Sequence, residues 1–287
     1  MSGGPGPVVA AVRAEPARVI DFLCQGKDHF GSDRELGRSL GQVAPWLVAG
    51  VRARSGFVAR AVKVAARAGV TQFLVTDCGL PGAADVHAVV QGVRASSRTV
   101  YADADLVVLA HVRAMSATDA RTTAVHSEPG HAGGVCRLLA NTRLQAHLAL
   151  DLPVCVVLAG VLPRAGDVAD PLPECVGVLR DVLAPGSHLV LARLTAGRRN
   201  THAASAALAA SVYETATGLP LRLDTQTGLR DVLAGWDPLP PGVLPVHLWR
   251  PTRLRQAAVT LVGAVAVLPD PDPDPEPAPD VVGSTDR

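Results

Sequence analysis

The sequence is poor in aromatic residues, only 3% of the chain, and Lys27 and Lys63 are its only lysines. So few rings exclude the stacking platforms on which proteins hold single-stranded nucleic acid. Charge of one sign is lacking too. A net charge of +1 gives no basic face for gripping a polynucleotide. Cys24, Cys78, Cys136, Cys155 and Cys175 are scattered, odd in number and free of any C-x-x-C pair. That excludes a disulfide framework or a zinc ribbon and fits reduced thiols. The histidines form no H-E-x-x-H or similar ligand spacing, so no metal site is expected. The longest late apolar run, Ala257 to Leu268, is shorter than the roughly 20 residues a membrane helix needs. The N-terminal stretch also lacks a signal-peptide layout. The expectation is a soluble, cytoplasmic protein that binds neither nucleic acid nor membrane.

What is present is apolar bulk. Hydrophobic residues make up 48% of 287 and charged ones 18%, enough for a sizeable core. Residues 1–16 are rich in Gly, Pro and Ala and are expected to be disordered. Residues 17–69 carry helical periodicity (VIDFL, LGRSLGQVAPWLVAGV, GFVARAVKVAARAG) and end at Gly69, a C-cap. From 70 to 268 short apolar runs such as QFLV, TVYADA, VCVVLAGVL and SHLVLARL alternate with helical segments. Strands of that kind are buried on both faces, which predicts an α/β, doubly wound, mostly parallel sheet with right-handed crossovers. The Pro- and acid-rich residues 269–287 predict an unfolded tail.

The stretch VTQFLVTDCGLPGAADVH, Val70 to His87, has the outline of a strand, a glycine turn and a helix. In a doubly wound sheet that turn meets the ligand, and the next strand ends in an acid that accepts from ribose hydroxyls. Asp103, in TVYADAD, lies about 20 residues beyond the turn, where that acid belongs. Asp105 is placed near an adenine edge or, equally, at the N-cap of the following helix. The dinucleotide G-x-G-x-x-G is absent, with only Gly79 and Gly82 left, and there is no G-x-x-x-x-G-K-[ST]. A cofactor without a pyrophosphate needs fewer glycines, and S-adenosylmethionine is the obvious candidate.

On these residues the chain resembles an actinobacterial S-adenosyl methyltransferase family, formerly a domain of unknown function. The likeness runs from Ala17 to Pro251. It is carried by ARVIDFLCQGKDHFGSDREL, FLVTDCGLPGAADVH, VYADADLVVLAH, LRDVLAPGSHLVL and LPVHLWRP. It implies a class I methyltransferase fold of seven strands, one antiparallel near the end, under a helical N-terminal cover. It also implies S-adenosylmethionine as cofactor and a small-molecule acceptor that it leaves unnamed. The cofactor-binding residues it suggests are Lys27, Asp28, Asp77, Cys78, Gly79, Leu80, Asp103 and Asp105. It points to no catalytic residue.

The departures from the family pattern cluster at this site. Where the family turn resembles F-L-D-I-G-T-G-L-P, this chain has Val75 for the acid and Asp77 for a glycine. An Asn-Arg pair of the family is Arg54-Ser55 here, and its Asn after Asp is His29. Asp77 admits two readings: a strand extended by two residues in which it replaces the lost acid, or a decayed loop. His29 is a candidate base near neutral pH or a packing residue. Two functions follow: methyl transfer to a small molecule, or a non-catalytic descendant with a binding, scaffolding or regulatory role. A small-molecule enzyme that uses the old pocket without methyl transfer is a third.

Overall fold

In a computed structural model, residues 13–82, 85–128, 131–163, 172–195, 202–251 and 260–270 are described. Most of the two expected disordered ends, 1–12 and 271–287, lies outside them. The first three elements are helices: α1 (Pro16–Leu23), α2 (Gly31–Val43) and α3 (Pro45–Arg67). Proline at the start of α1 and of α3 pre-sets the backbone where the first N–H groups need no partner. The rest alternates: β1 (Gln72–Thr76), α4 (Val86–Gln91), β2 (Arg98–Asp103), α5 (Leu106–Met115), β3 (Thr122–His126), α6 (Ala132–Leu139) and α7 (Thr142–Gln145). Then come β4 (Val154–Leu158), α8 (Leu172–Val182), β5 (His188–Leu194), α9 (Ala203–Thr217) and α10 (Gln226–Val232). The two-residue strands β6 (Asp237–Pro238) and β7 (Leu244–Pro245) precede the closing strand β8 (Leu261–Val267).

The sheet runs β3-β2-β1-β4-β5-β8-β6, with β7 also paired to β8. The first five strands are parallel, and β8 returns antiparallel beside β5. The expected doubly wound, mostly parallel architecture is present, with a correction. Among the described residues the sheet has eight strands rather than seven, because β6 and β7 each add a two-residue pairing to β8.

Two apolar layers sandwich the sheet. One face packs on α3 and its neighbours, through Phe57, Ala61, Val62, Phe73, Val75, Val157 and Val190. The other packs under α6 and α8, through Leu74, Val156, Leu138, Cys175 and Leu179. Every residue of β1 is buried, as strands covered on both sides must be. Helix α3 therefore belongs to the core, and its middle, at Arg54, lies beside the tips of β1 and β4. Among the described residues no helix is long and apolar enough to cross a membrane.

Candidate ligand site at the strand tips

The order β2-β1-β4 places the topological switch point between β1 and β4, where an open α/β sheet forms its ligand crevice. A cavity of about 490 Å³ stands there. Its roof is α1 and the turn that follows (Ala17, Ile20, Asp21, Cys24, Gln25, Gly26). One wall is α3 (Arg52, Arg54, Ser55, Val58), and the floor is Val75, Tyr101 and Val157 of the sheet. The turn after β1 supplies Cys78, Gly79, Leu80, Pro81 and Gly82, and Asp85 and Val86 close the far side.

The turn has the backbone of a glycine loop. Strand β1 ends at Thr76; Asp77 follows with φ +46 and Gly79 with φ +72. The left-handed region favours glycine at both positions, and Asp is among the few other residues that tolerate it. Because β1 does not continue through Asp77, the extended-strand reading of that residue is not realised. Its side chain turns toward β4 instead: a Cβ added at Gly160 would stand 2.9 Å from Oδ2 of Asp77. Around Gly79 and Gly82 the space is open, with no atom within 4 Å of an added Cβ.

Asp103 ends β2 as expected, but its carboxylate serves the turn. Oδ2 accepts from the Gly79 N–H at 3.2 Å and from Cys78 Sγ at 3.6 Å, and Oδ1 accepts from the Asp105 N–H at 2.9 Å. The residue is 0% exposed and off the cavity wall. Asp105 does cap a helix: its Oδ1 accepts from the Val107 N–H at 2.8 Å, at the start of α5. Its other oxygen accepts from Arg18 at 2.6 Å, and Arg18 also donates to Asp33 at 3.0 Å. This buried triad ties α1 to α2 and to the end of β2.

Lys27 and Asp28 lie in the turn between α1 and α2, beside the cavity roof but not on the wall. The N–H groups of this turn converge on Asp21, whose Oδ2 accepts from the Asp28 N–H at 3.0 Å and pairs with His29 Nδ1 at 2.8 Å. His29 thus fastens this turn to α1. Of the eight expected residues, then, Cys78, Gly79 and Leu80 meet in the cavity. Asp103 and Asp105 stand behind it, Asp77 faces β4, and Lys27 and Asp28 flank it.

Sequence reasoning passed over Asp21, Asp85, Tyr101 and Arg54 as wall residues. Tyr101 sits on a period-two strand as one more apolar position. Its Oη accepts from the His87 N–H at 3.0 Å, and burial raises its pKa far above the ordinary range. Arg54 carried a readable signal: it falls in the stripe Leu47, Val51, Val58, Ala61, Ala65, all buried. A charge at helical spacing among core positions marks a site or a strap. Arg54 Nε donates to the Ala159 carbonyl at 2.6 Å and Nη2 to the Asp77 carbonyl at 3.1 Å, spanning the tips of β4 and β1. Burial lowers its pKa, while the nearby Asp77 carboxylate opposes that shift.

Among the described residues no group of His, Cys, Asp and Glu could hold a metal ion. For S-adenosylmethionine, the cofactor that the resemblance implies, the cavity has room, lies at the switch point and offers a cradle open at Gly79 and Gly82. The residues present fit that group through the turn and the α1 roof. Asp103 lies behind the turn, its two oxygens accepting from the Gly79 and Asp105 N–H groups.

Comparison with known proteins agrees with this geometry. A candidate methyltransferase from Thermobifida fusca YX is 26% identical with a TM-score of 0.79, covering 90% of this chain and 96% of its own. A DUF574 family protein from Streptomyces avermitilis is 28% identical with a TM-score of 0.78, covering 90% of this chain and 98% of its own. No curated protein matches the chain. The S-adenosyl methyltransferase family model matches residues 5–269, and the chain belongs to that family, whose cofactor is S-adenosylmethionine.

Proposed function

We propose that the protein transfers a methyl group from S-adenosylmethionine to a small molecule in the cavity over β1 and β4. The observation that carries this reading is the cavity itself. It lies at the switch point, under the helical roof, with the Cys78–Leu80 turn as its cradle. Its volume of about 490 Å³ suits a small-molecule site and not a polymer groove. When bound, the cofactor supplies an electrophilic methyl group. The chain's part is then to orient the reactants and keep water out, which Ala17, Ile20, Val58 and Val157 do as apolar lining. Two carboxylates, Asp21 and Asp85, reach the wall. Asp85 already accepts from the Gly82 N–H at 2.8 Å and from Ser116 Oγ at 2.9 Å, so both its oxygens are engaged by the protein. Positioning carries more of this reaction than proton abstraction does.

The second reading is ligand binding without turnover. It is favoured by Val75, which offers the ligand no acceptor where the family pattern has an acid, and by Asp103, committed to the turn. Isothermal titration with S-adenosylmethionine and S-adenosylhomocysteine tests both. Micromolar affinity for each supports the cofactor reading, and no heat at millimolar ligand removes it. Tight binding without methyl transfer to any compound of a broad acceptor panel favours the second. The paired change Val75→Asp with Asp77→Gly restores the family turn and is expected to tighten cofactor binding about tenfold or more.

A further inference from the structure

Two arginines of the helical cover reach the strand tips, and the fold treats them differently. Arg18, 6% exposed, is held between two carboxylates, Asp33 at 3.0 Å and Asp105 at 2.6 Å. Arg54 has no such partner. Its two hydrogen bonds go to main-chain carbonyls, those of Ala159 and Asp77, and among the described residues it forms no ion pair. Carbonyl dipoles orient a guanidinium but do not neutralise it. Asp77 and Asp103 act on it through space, as do the thiols of Cys78 and Cys24. A guanidinium presents five N–H donors in a planar fork, and two hydrogen bonds leave most of them unused. Arg54 also lines the cavity, so that its unused donors border the space a ligand would fill. A half-buried cation whose hydrogen bonds go only to main-chain carbonyls, with its nearest carboxylates acting at a distance, contributes less to the empty fold than a paired one such as Arg18. It is a good receptor for a planar anion, because a carboxylate matches the fork in shape and charge.

We propose that Arg54 is the seat of a carboxylate on the ligand of this cavity, so that the site selects small molecules with a carboxylate end. The inference rests on the cavity being the ligand site. The carboxylate has two possible sources, the amino-acid end of the cofactor or an acidic methyl acceptor. Both would be read by the same fork between the tips of β1 and β4.

The test compares wild type with Arg54→Gln, which keeps one amide donor and removes the charge, and with Arg54→Lys, which keeps the charge and loses the fork. S-adenosylhomocysteine carries nucleoside and carboxylate, 5′-methylthioadenosine the nucleoside alone, and L-methionine the carboxylate alone. By calorimetry, Arg54→Gln is expected to weaken S-adenosylhomocysteine about 10- to 100-fold and leave 5′-methylthioadenosine unchanged, with Arg54→Lys between them. In thermal melts of the free proteins, Arg54→Gln is expected to stay within about 4 °C of wild type, since no direct ion pair is lost with it. A fall of more than about 4 °C would identify Arg54 as a structural strap and overturn the proposal. L-methionine is expected to raise the melting temperature of wild type and not of Arg54→Gln. If only this last difference appears, the seat belongs to an acidic acceptor. If neither ligand's effect depends on Arg54, the proposal fails. Absence of S-adenosylhomocysteine binding to wild type sinks the cofactor reading separately, and the methionine melts then decide on Arg54 alone.

Discussion

Asp103 shows how position and role separate at the scale of one residue. Its place at the end of β2 follows from counting along the chain, since an acid about 20 residues after a glycine turn is a spacing argument. Which groups its oxygens meet depends on how the turn closes. Here Asp77 and Gly79 both take positive φ and bring the Gly79 N–H within 3.2 Å of the carboxylate. No pattern of letters carries that closure. The structural consequence can be measured. Asp103→Asn keeps the shape but offers one acceptor oxygen where Gly79 and Asp105 use two. One main-chain N–H then loses a charged acceptor and faces an amide NH2, and the expected loss is about 1–3 kcal/mol in urea unfolding, with or without ligand. Unchanged stability combined with lost cofactor affinity would return Asp103 to the role of ribose acceptor.

At the scale of elements, the strands that the sequence announced are those with enough residues to show a pattern. QFLV, TVYADA, VCVVL, HLVLARL and LVGAVAV are apolar runs of strand length, and they form β1, β2, β4, β5 and β8. Asp237–Pro238 and Leu244–Pro245 are too short for a period and contain the residue least suited to a ladder, so neither strand is visible in the letters. Helix-to-sheet fit was invisible as well, because it depends on residues far apart in the chain. Gly263 of β8 lies beneath Phe57 of α3. A Cβ added there would stand 2.8 Å from the Leu191 carbonyl oxygen and 2.8 Å from the Phe57 ring. The backbone oxygen cannot swing away as a flexible side chain would. Gly263→Ala is therefore expected to destabilise the fold by about 1–3 kcal/mol, against the usual gain of a Gly→Ala change in a strand. A denaturation midpoint equal to wild type would show that α3 rides loosely on the sheet.

At the scale of the whole molecule, the net charge of +1 says nothing about how stability responds to acid. That response is set by histidines far apart in the sequence. His188 at the start of β5 is 4% exposed, with Nδ1 2.9 Å from the Gly186 carbonyl oxygen. Burial lowers its pKa, as it lowers those of His147 and His247. In the last two, one ring nitrogen is buried without a partner, and Arg98 and Arg143 near His147 and Arg60 near His247 push the same way. A histidine depressed in the folded state binds its proton more readily in the unfolded chain. The unfolded state therefore takes up protons first as pH falls through its ordinary pKa of about 6.5, and stability rises with pH across that window. The urea midpoint is expected to be level from pH 8 to 7 and to fall from pH 7 to 5, above the range where carboxylates titrate. His188→Asn places an amide nitrogen where Nδ1 donates to Gly186 and removes the titrating nitrogen, so part of that slope should disappear with it. A midpoint that rises on acidification would mean that these rings gain carboxylate partners in the folded protein, contrary to the packing around β5.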